Sequence, residues 1–511
     1  CTGSGRIGAR DRQRFRVSQG AAIVGSGPNG LAAAITLARA GVPVTVFESA
    51  SQVGGGMRTG EPVAPGLRHD LCAAIHPMAL ASEFFSRFEL ERRVGFVVPE
   101  ASYAHPLDQG SRGGVGEAAV AYRSIERTVA ELGRDGAAFR TMLAPLLNRV
   151  DQVQEFAMGG GMLRFPRSPL AAAAVGLRAL EQGTGLWNLR FRDEAAPALI
   201  TGALAHGITG LPSLAAAGVG LVLATHAHAR GWPVPIGGTQ SIADAMTADL
   251  NAHGGAIVTD TTIGDLAELR AHGQFDTVIC DTSARGLASL GRQQLPSAYR
   301  RKLARVRPGP GACKVDFELD GPIPWRDDRV ALAPTVHLGG SRAEIAASES
   351  DVTRGKRSER PFVILAQPDA WDTARNPDGR VAIWSYAHVP TGWAGDESAA
   401  VIRQIERFAP GFRDRIVATR TTSAVELSRY NANYFGGDIG AGAITMQQLL
   451  ARPTAGPSPW RTPVPGLYLA SASVAPGPGV HGLAGWYAAR DALQRDFGLP
   501  EPELGVGAAK A

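Results

Sequence analysis

The chain has 511 residues, 44% hydrophobic and 19% charged, which supports a large buried core and rules out a disordered polymer. Fifty-two basic residues against 47 acidic ones leave a formal charge of +5. That charge is spread without the continuous basic stripe of a nucleic-acid binder. Four cysteines with no C-x-x-C spacing exclude a dithiol redox pair and a zinc knuckle.

At this length two or three domains are expected. The first 20 residues carry five arginines and one acid with no apolar run behind them, so a Sec-type signal peptide is not written here. Residues 1–19 read as a disordered arm or tag, and the protein as cytoplasmic, with membrane association left open. Only four basic residues are lysine: Lys302, Lys314, Lys356 and Lys510. A second anomaly is Ala195–Ala229, 35 residues without Asp, Glu, Lys or Arg.

In chain order, Ala21–Gly25 is an apolar run ending in glycine, Leu31–Ala40 an Ala/Leu-rich helix stopped by Gly41, and Val42–Glu48 a β-branched strand. Strand, glycine turn, helix and strand make a βαβ unit. Residues from about Ala118 to Arg230 read as helices broken at Pro145, Pro166, Pro169, Pro197 and Pro212. Short strands follow at 256–259 and 276–281. In 314–319, apolar Val315, Phe317 and Leu319 alternate with polar Lys314, Asp316 and Glu318, predicting a half-buried antiparallel strand. Residues 361–366 and 381–386 are expected in the same sheet. The chain closes with a strand at 466–471 and a helix over 482–496. The expected fold is α/β: a Rossmann-like dinucleotide domain from 20–75, 236–292 and 455–511, carrying an inserted α+β substrate domain from 76–235 and 293–454.

Gly25-Ser-Gly27-Pro28-Asn29-Gly30 stands between strand and helix, where dinucleotide chemistry needs it. The first glycine makes the tight turn, the second lets the backbone approach a pyrophosphate, and the third lets helix and strand pack closely. Glu48, 23 residues after Gly25, is placed to accept hydrogen bonds from ribose hydroxyls, and its charge opposes a 2′-phosphate. A second glycine cluster, Gly54-Gly55-Gly56-Met57-Arg58, follows at once. Near the C-terminus, Pro476-Gly-Pro-Gly479-Val480-His481-Gly482 leads into a helix, offering free N–H groups and the positive end of a helix dipole. No other glycine pair has a strand before it and a ribose acid after it.

These segments resemble FAD enzymes of the amine oxidase and phytoene desaturase type, from Ala21 to about Phe497. In particular they resemble the phytoene desaturase-like branch, near the pyridine nucleotide-disulfide oxidoreductase domain-containing group. The resemblance implies FAD held by Gly25, Gly27, Pro28, Asn29, Gly30, Glu48, Gly55, Gly56, Arg58, Gly479, Val480 and His481. In that family the arginine directly follows two glycines, whereas here Met57 intervenes. Pro235-Ile-Gly237-Gly238 resembles the segment returning the chain from substrate to FAD domain, which adds Gly237 and Gly238. With no second dinucleotide site, electrons would leave to oxygen, a quinone or another diffusible acceptor.

The substrate side is less sharply marked. Flavin amine oxidases place a lysine on a strand like that of Lys314, and His481 lies in the flavin-facing turn, so these two are the catalytic candidates. His76, His226 and His228 are further acid/base groups, the last two reading better as helix caps. Asn431, Asn433, Tyr434 and Asp438 read either as a loop closing over substrate or as a surface turn. Ala195–Ala229 is long enough to span a membrane, but its prolines and glycines favour two buried helices walling an apolar pocket. The reaction expected is hydride transfer between a substrate carbon and flavin N5, desaturating or saturating a hydrophobic, isoprenoid- or carotenoid-like molecule. A flavin amine or amino-acid oxidase and a non-catalytic flavin-binding protein are the alternatives. A peripheral membrane contact and a homo-oligomer are both compatible with the sequence.

Overall fold

The computed structural model describes residues 20–108, 118–161, 163, 165–375 and 379–507. The arm assigned to 1–19 therefore lies outside the described residues. Two sheets organise the rest. The first is wholly parallel, in the spatial order Leu467–Leu469, Thr277–Cys280, Ala21–Val24, Val44–Phe47, Ala256–Val258. Its central strand is buried throughout, which is why Ala21–Val24 is a continuous apolar run and not an alternating one. The strands come from three separated stretches of chain.

Helix Pro28–Arg39 crosses helix Leu483–Ala492 so closely that a Cβ on Gly485 would lie 1.8 Å from the Asn29 carbonyl oxygen. Only glycine lets the two backbones meet. This crossing joins the two ends of the chain around one nucleotide-binding edge.

The second sheet has seven strands, in the order Ile416–Thr422, Gly311–Leu319, Val381–Val389, Val363–Ala366, Thr335–Leu338, Ala101–Pro106, Ala118–Tyr122. Strand Gly311–Leu319 is buried on both faces, not half-buried as its alternation predicts. Phe317 packs edge-on against Phe412 at 5.3 Å. The polar side faces other charged groups: Asp316 takes Lys314 and His69, and Glu318 takes Arg380. Strands Ala101–Pro106, Thr335–Leu338 and Ile416–Thr422 carry no clear sequence signal, and residues 118–122 are strand where helix was expected.

Pro145 sits inside helix Gly136–Leu147 instead of ending it. A proline leaves the carbonyl four residues earlier without its helical donor. That carbonyl, on Thr141, accepts from Arg178 Nη2 at 3.2 Å instead.

The uncharged stretch folds as two helices, Ala195–Ala205 and Leu214–Ala229. Small residues bring them together: a Cβ on Gly220 would stand 2.5 Å from Leu204 Cα. Among the described residues no helix is long and apolar enough to cross a membrane.

Candidate functional site

A cavity of about 1420 Å³ runs from the Gly25–Gly30 loop into the space beside helix Leu214–Ala229. This exceeds the roughly 300–1,000 Å³ of an ordinary ligand pocket and leaves room for a dinucleotide together with a substrate.

The nucleotide half is built largely from backbone. A Cβ on Gly27 would lie 2.5 Å from Asp281 Oδ2, and one on Gly30 would lie 2.1 Å from the Gly25 carbonyl oxygen. Gly27 caps helix Pro28–Arg39 without a side-chain hydrogen bond. Pro28 has no N–H, and Gly30 N–H donates to Asp281 Oδ2 at 2.8 Å, leaving the Asn29 N–H at the positive end of the helix for an anionic group. Glu48 Oε2 accepts from Ser26 N–H at 2.9 Å and Ser26 Oγ at 2.6 Å, and Oε1 accepts from Ala50 N–H at 2.9 Å. Each carboxylate oxygen can accept more than one bond, so capacity for ribose hydroxyls remains. Burial pushes the Asp281 carboxyl up to about 7, opposed by the Gly30 hydrogen bond and aided by the Glu48 charge.

The intervening methionine in Gly55-Gly56-Met57-Arg58 has a plain structural reason. Met57 is wholly buried in the core while Arg58 turns to the cavity. Arg58 Nε donates to the Gly55 carbonyl at 2.9 Å, and its guanidinium lies 4.2 Å from the centre of the Tyr430 ring. Gly55, Gly56, Gly479 and Val480 also line the cavity. A glycine cradle, a bare helix N-terminus, a ribose acid and an oriented arginine on one continuous wall fit FAD.

Residues 431–438 form a fixed wall. Asn433 Oδ1 accepts from Ser283 N–H at 2.6 Å, and Tyr434 O–H reaches Cys72 Sγ at 3.3 Å. Buried Asp438 accepts from the N–H groups of Gly309, Gly440 and Gly442 at 2.7–2.8 Å. Arg452 donates to the Ala472 carbonyl at 2.8 Å.

Several expected site residues sit elsewhere. Lys314 Nζ is paired with Asp316 Oδ1 and lies 5.8 Å from the centre of the Trp384 ring. Trp384, not Lys314, lines the cavity. His481 Nδ1 accepts from Leu483 N–H at 3.1 Å, so its proton is on Nε2, which donates to the Gly477 carbonyl at 3.1 Å. Burial holds that ring down to about 4. With both nitrogens spent, His481 holds the Gly477–Leu483 turn in shape and is not an acid/base group. Gly237 and Gly238 also lie off the cavity: both have positive φ, and Gly237 N–H donates to Asp372 Oδ2 at 2.8 Å. Asp372 and Asp70 share buried Arg375 at 2.7 and 2.6 Å, so this turn is a link between domains. His76 bonds Thr239 Oγ1 and His228 bonds the Tyr122 carbonyl, while His226 is fully buried. None of the three lines the cavity.

The structure adds residues that sequence reading passed over: Asp281, Cys72, Trp232, Trp384, Tyr386 and His206 on the cavity wall. Asp281 had a readable signal, a polar residue directly after an apolar strand. The others come from the inserted domain or its borders, where no local pattern marks them.

Residues 23–88 match the family described as NAD(P)-binding Rossmann-like domain. The chain is 24% identical to "Pyridine nucleotide-disulfide oxidoreductase domain-containing protein 2" of Rattus norvegicus, covering 92% of each chain. The Mus musculus protein of the same name is 25% identical over 93% of each. Among solved structures, a triple mutant of putrescine oxidase has a TM-score of 0.60 at 16% identity, covering 94% of this chain and 99% of that one. Cyclohexylamine oxidase from Brevibacterium oxydans IH-35A has a TM-score of 0.55 at 15% identity, covering 93% and 98%. At these identities the likeness is one of fold: a parallel Rossmann-like sheet joined to a second, mixed sheet and its helices.

Proposed function

We propose that the chain is an FAD-dependent oxidoreductase that desaturates or saturates a hydrophobic, isoprenoid- or carotenoid-like molecule. When bound, FAD supplies the hydride-exchanging chemistry. The chain's own residues bind the dinucleotide by backbone, orient the substrate and exclude water.

The observation that carries this reading is the chemistry of the wall. Its substrate half is lined by Phe156, Val175, Ile208, Val219, Val222 and Ile364. Among the described residues, the carboxylates on the cavity are Glu48, Asp281 and Asp438, and each already accepts from backbone N–H groups. Glu48 and Asp281 stand at the nucleotide loop and Asp438 holds the turns of Gly309, Gly440 and Gly442, so none stands among the aliphatic residues where the distal ammonium of a diamine would lie. Leu180 and Leu214 both line the cavity and are exposed, which supports an opening between helices Pro169–Gln182 and Leu214–Ala229. Exposed Leu170 and Leu177 on the first of these favour entry of the substrate from an apolar phase, such as a membrane surface.

The second reading is an oxidase of small amines. It draws on the fold shared with the two oxidases and on the aromatic surface of Trp384, Tyr386, Tyr430 and Tyr434 around the cavity. Anaerobic mixing of flavin-loaded protein with polyenes or with amines separates the readings by loss of flavin absorbance. Bleaching by polyenes is expected. Bleaching by amines alone would replace the proposal with the second reading, and bleaching by neither across a broad screen would favour a non-catalytic flavoprotein. Reoxidation by oxygen and by a quinone analogue would then identify the acceptor.

A further inference from the structure

We propose that His206 is the polar anchor of the substrate chamber, donating a hydrogen bond from Nδ1 to an acceptor oxygen on an otherwise apolar substrate. The inference rests on the apolar-substrate reading above and adds a carbonyl, hydroxyl or ether oxygen to the molecule expected there.

His206 caps the C-terminal end of helix Ala195–Ala205, and its ring is on the cavity wall beside Trp232, 5.7 Å away and edge-on. Its Nε2 lies 2.9 Å from His337 Nε2. Two ring nitrogens at that distance share one proton, so one ring donates and the other accepts.

The surroundings of His337 decide which. That ring is fully buried, with Tyr103 at 5.0 Å and Phe362 at 5.9 Å. Its Nδ1 has no partner and lies so near the helix that a Cβ on Gly202 would come within 2.5 Å. If His206 were the donor, neutral His337 would carry its proton on Nδ1, pressing an orphan N–H into the helix. Buried N–H groups without acceptors are rarer in proteins than under-used acceptors. The favoured arrangement therefore has His337 donating from Nε2 and His206 accepting. The proton of neutral His206 is then on Nδ1. Since Nε2 is occupied and the ring lines the cavity, Nδ1 is the nitrogen presented to a ligand.

Burial, with His388 nearby, holds the His206 ring down to about 3, and burial holds His337 well below its ordinary range. His388 is itself tied to Glu349 Oε1 at 2.7 Å. Both rings of the pair are neutral at physiological pH, so His206 is a hydrogen-bond donor and not a cation or a strong base. Trp384 Nε1, another N–H at this wall, is sealed from the chamber.

The test compares two probes in the FAD-loaded protein, the isoprenoid ketone farnesylacetone and the hydrocarbon farnesene, by quenching of tryptophan fluorescence. Trp232 and Trp384 line the cavity and report binding independently of turnover. The ratio of ketone to hydrocarbon affinity should fall ~5-fold in His206→Phe, the loss of one neutral hydrogen bond. His206→Asn, whose amide N–H falls where Nδ1 stands, should restore it to within ~2-fold. An unchanged ratio in both variants, with both probes still binding, overturns the anchor and leaves the apolar-substrate reading intact. A ratio lost in Tyr386→Phe but kept in His206→Phe overturns it in favour of the tyrosine hydroxyl. Failure of both probes to bind the native protein overturns the anchor and the apolar-substrate reading together.

Discussion

The two halves of the cavity are made of different materials. The nucleotide half is backbone: Gly25, Gly27 and Gly30 remove side chains so that N–H groups and a helix end face the ligand, and Asp281 and Glu48 hold the loop from behind. The substrate half is side chain: aliphatic residues on helices Pro169–Gln182 and Leu214–Ala229, aromatic residues from the seven-stranded sheet, and a pair of neutral imidazoles. A backbone site tolerates almost no change in shape, because at Gly25 and Gly30 an added Cβ strikes main chain that cannot move aside. A side-chain site has slack, and its selectivity can change without loss of the fold.

The sharpest way to break this contrast is Gly485→Val. Its Cβ would fall 1.8 Å from the Asn29 carbonyl, forcing apart the helix pair that presents the nucleotide loop. Complete loss of bound flavin is expected, read from absorbance of the purified protein. Retained flavin would mean that the crossing is not needed.

Acid should separate the halves by a smaller margin. Burial holds His105, His226 and His228 at about 4 and His206, with help from His388, at about 3, all four in the inserted domain. The ordinary value is about 6.5. Between pH 6.5 and 4 the unfolded chain therefore binds more protons than the folded one, so stability falls as pH falls through that window. The nucleotide half has one ring of that kind, His481, also held at about 4, but Asp281 there has the opposite sign: held up to about 7, it contributes stability that is present in acid and lost as pH rises through 7. Amide exchange in helices Ala195–Ala205 and Leu214–Ala229 should accelerate at pH 5 before exchange in strand Ala21–Val24. Simultaneous acceleration would show one cooperative unit.

The mildest expected effect on the fold comes from filling the chamber. Gly218 lines the cavity, and a Cβ there would meet nothing within 4 Å. Gly218→Phe should leave flavin content unchanged and weaken farnesene binding at least ~10-fold. Loss of flavin in this variant would show that the halves are not separable.

The sequence was most legible where one short segment does a whole job. Gly25–Gly30 and Glu48 form their site within a single βαβ unit, so spacing alone could place them. Gly479 and Val480 line the cavity, while His481, one residue further, turns inward to serve its own turn. Alternation in 314–319 implied one wet face, but the polar face is buried against His69, Arg380 and its own neighbours. A charged strand face reads the same in sequence whether water or other charges cover it. Lysine rarity likewise pointed to Lys314 without revealing that Asp316 holds it.

By itself, then, the sequence determined the dinucleotide half and the absence of charge between Ala195 and Ala229, because backbone shape and local composition are written in consecutive residues. Only the tertiary structure decided that the second half of this uncharged stretch, from His206, lines the chamber, and that His206 meets His337, 131 residues away. Such pairings depend on which distant surfaces pack together, and nothing in either local sequence specifies its partner.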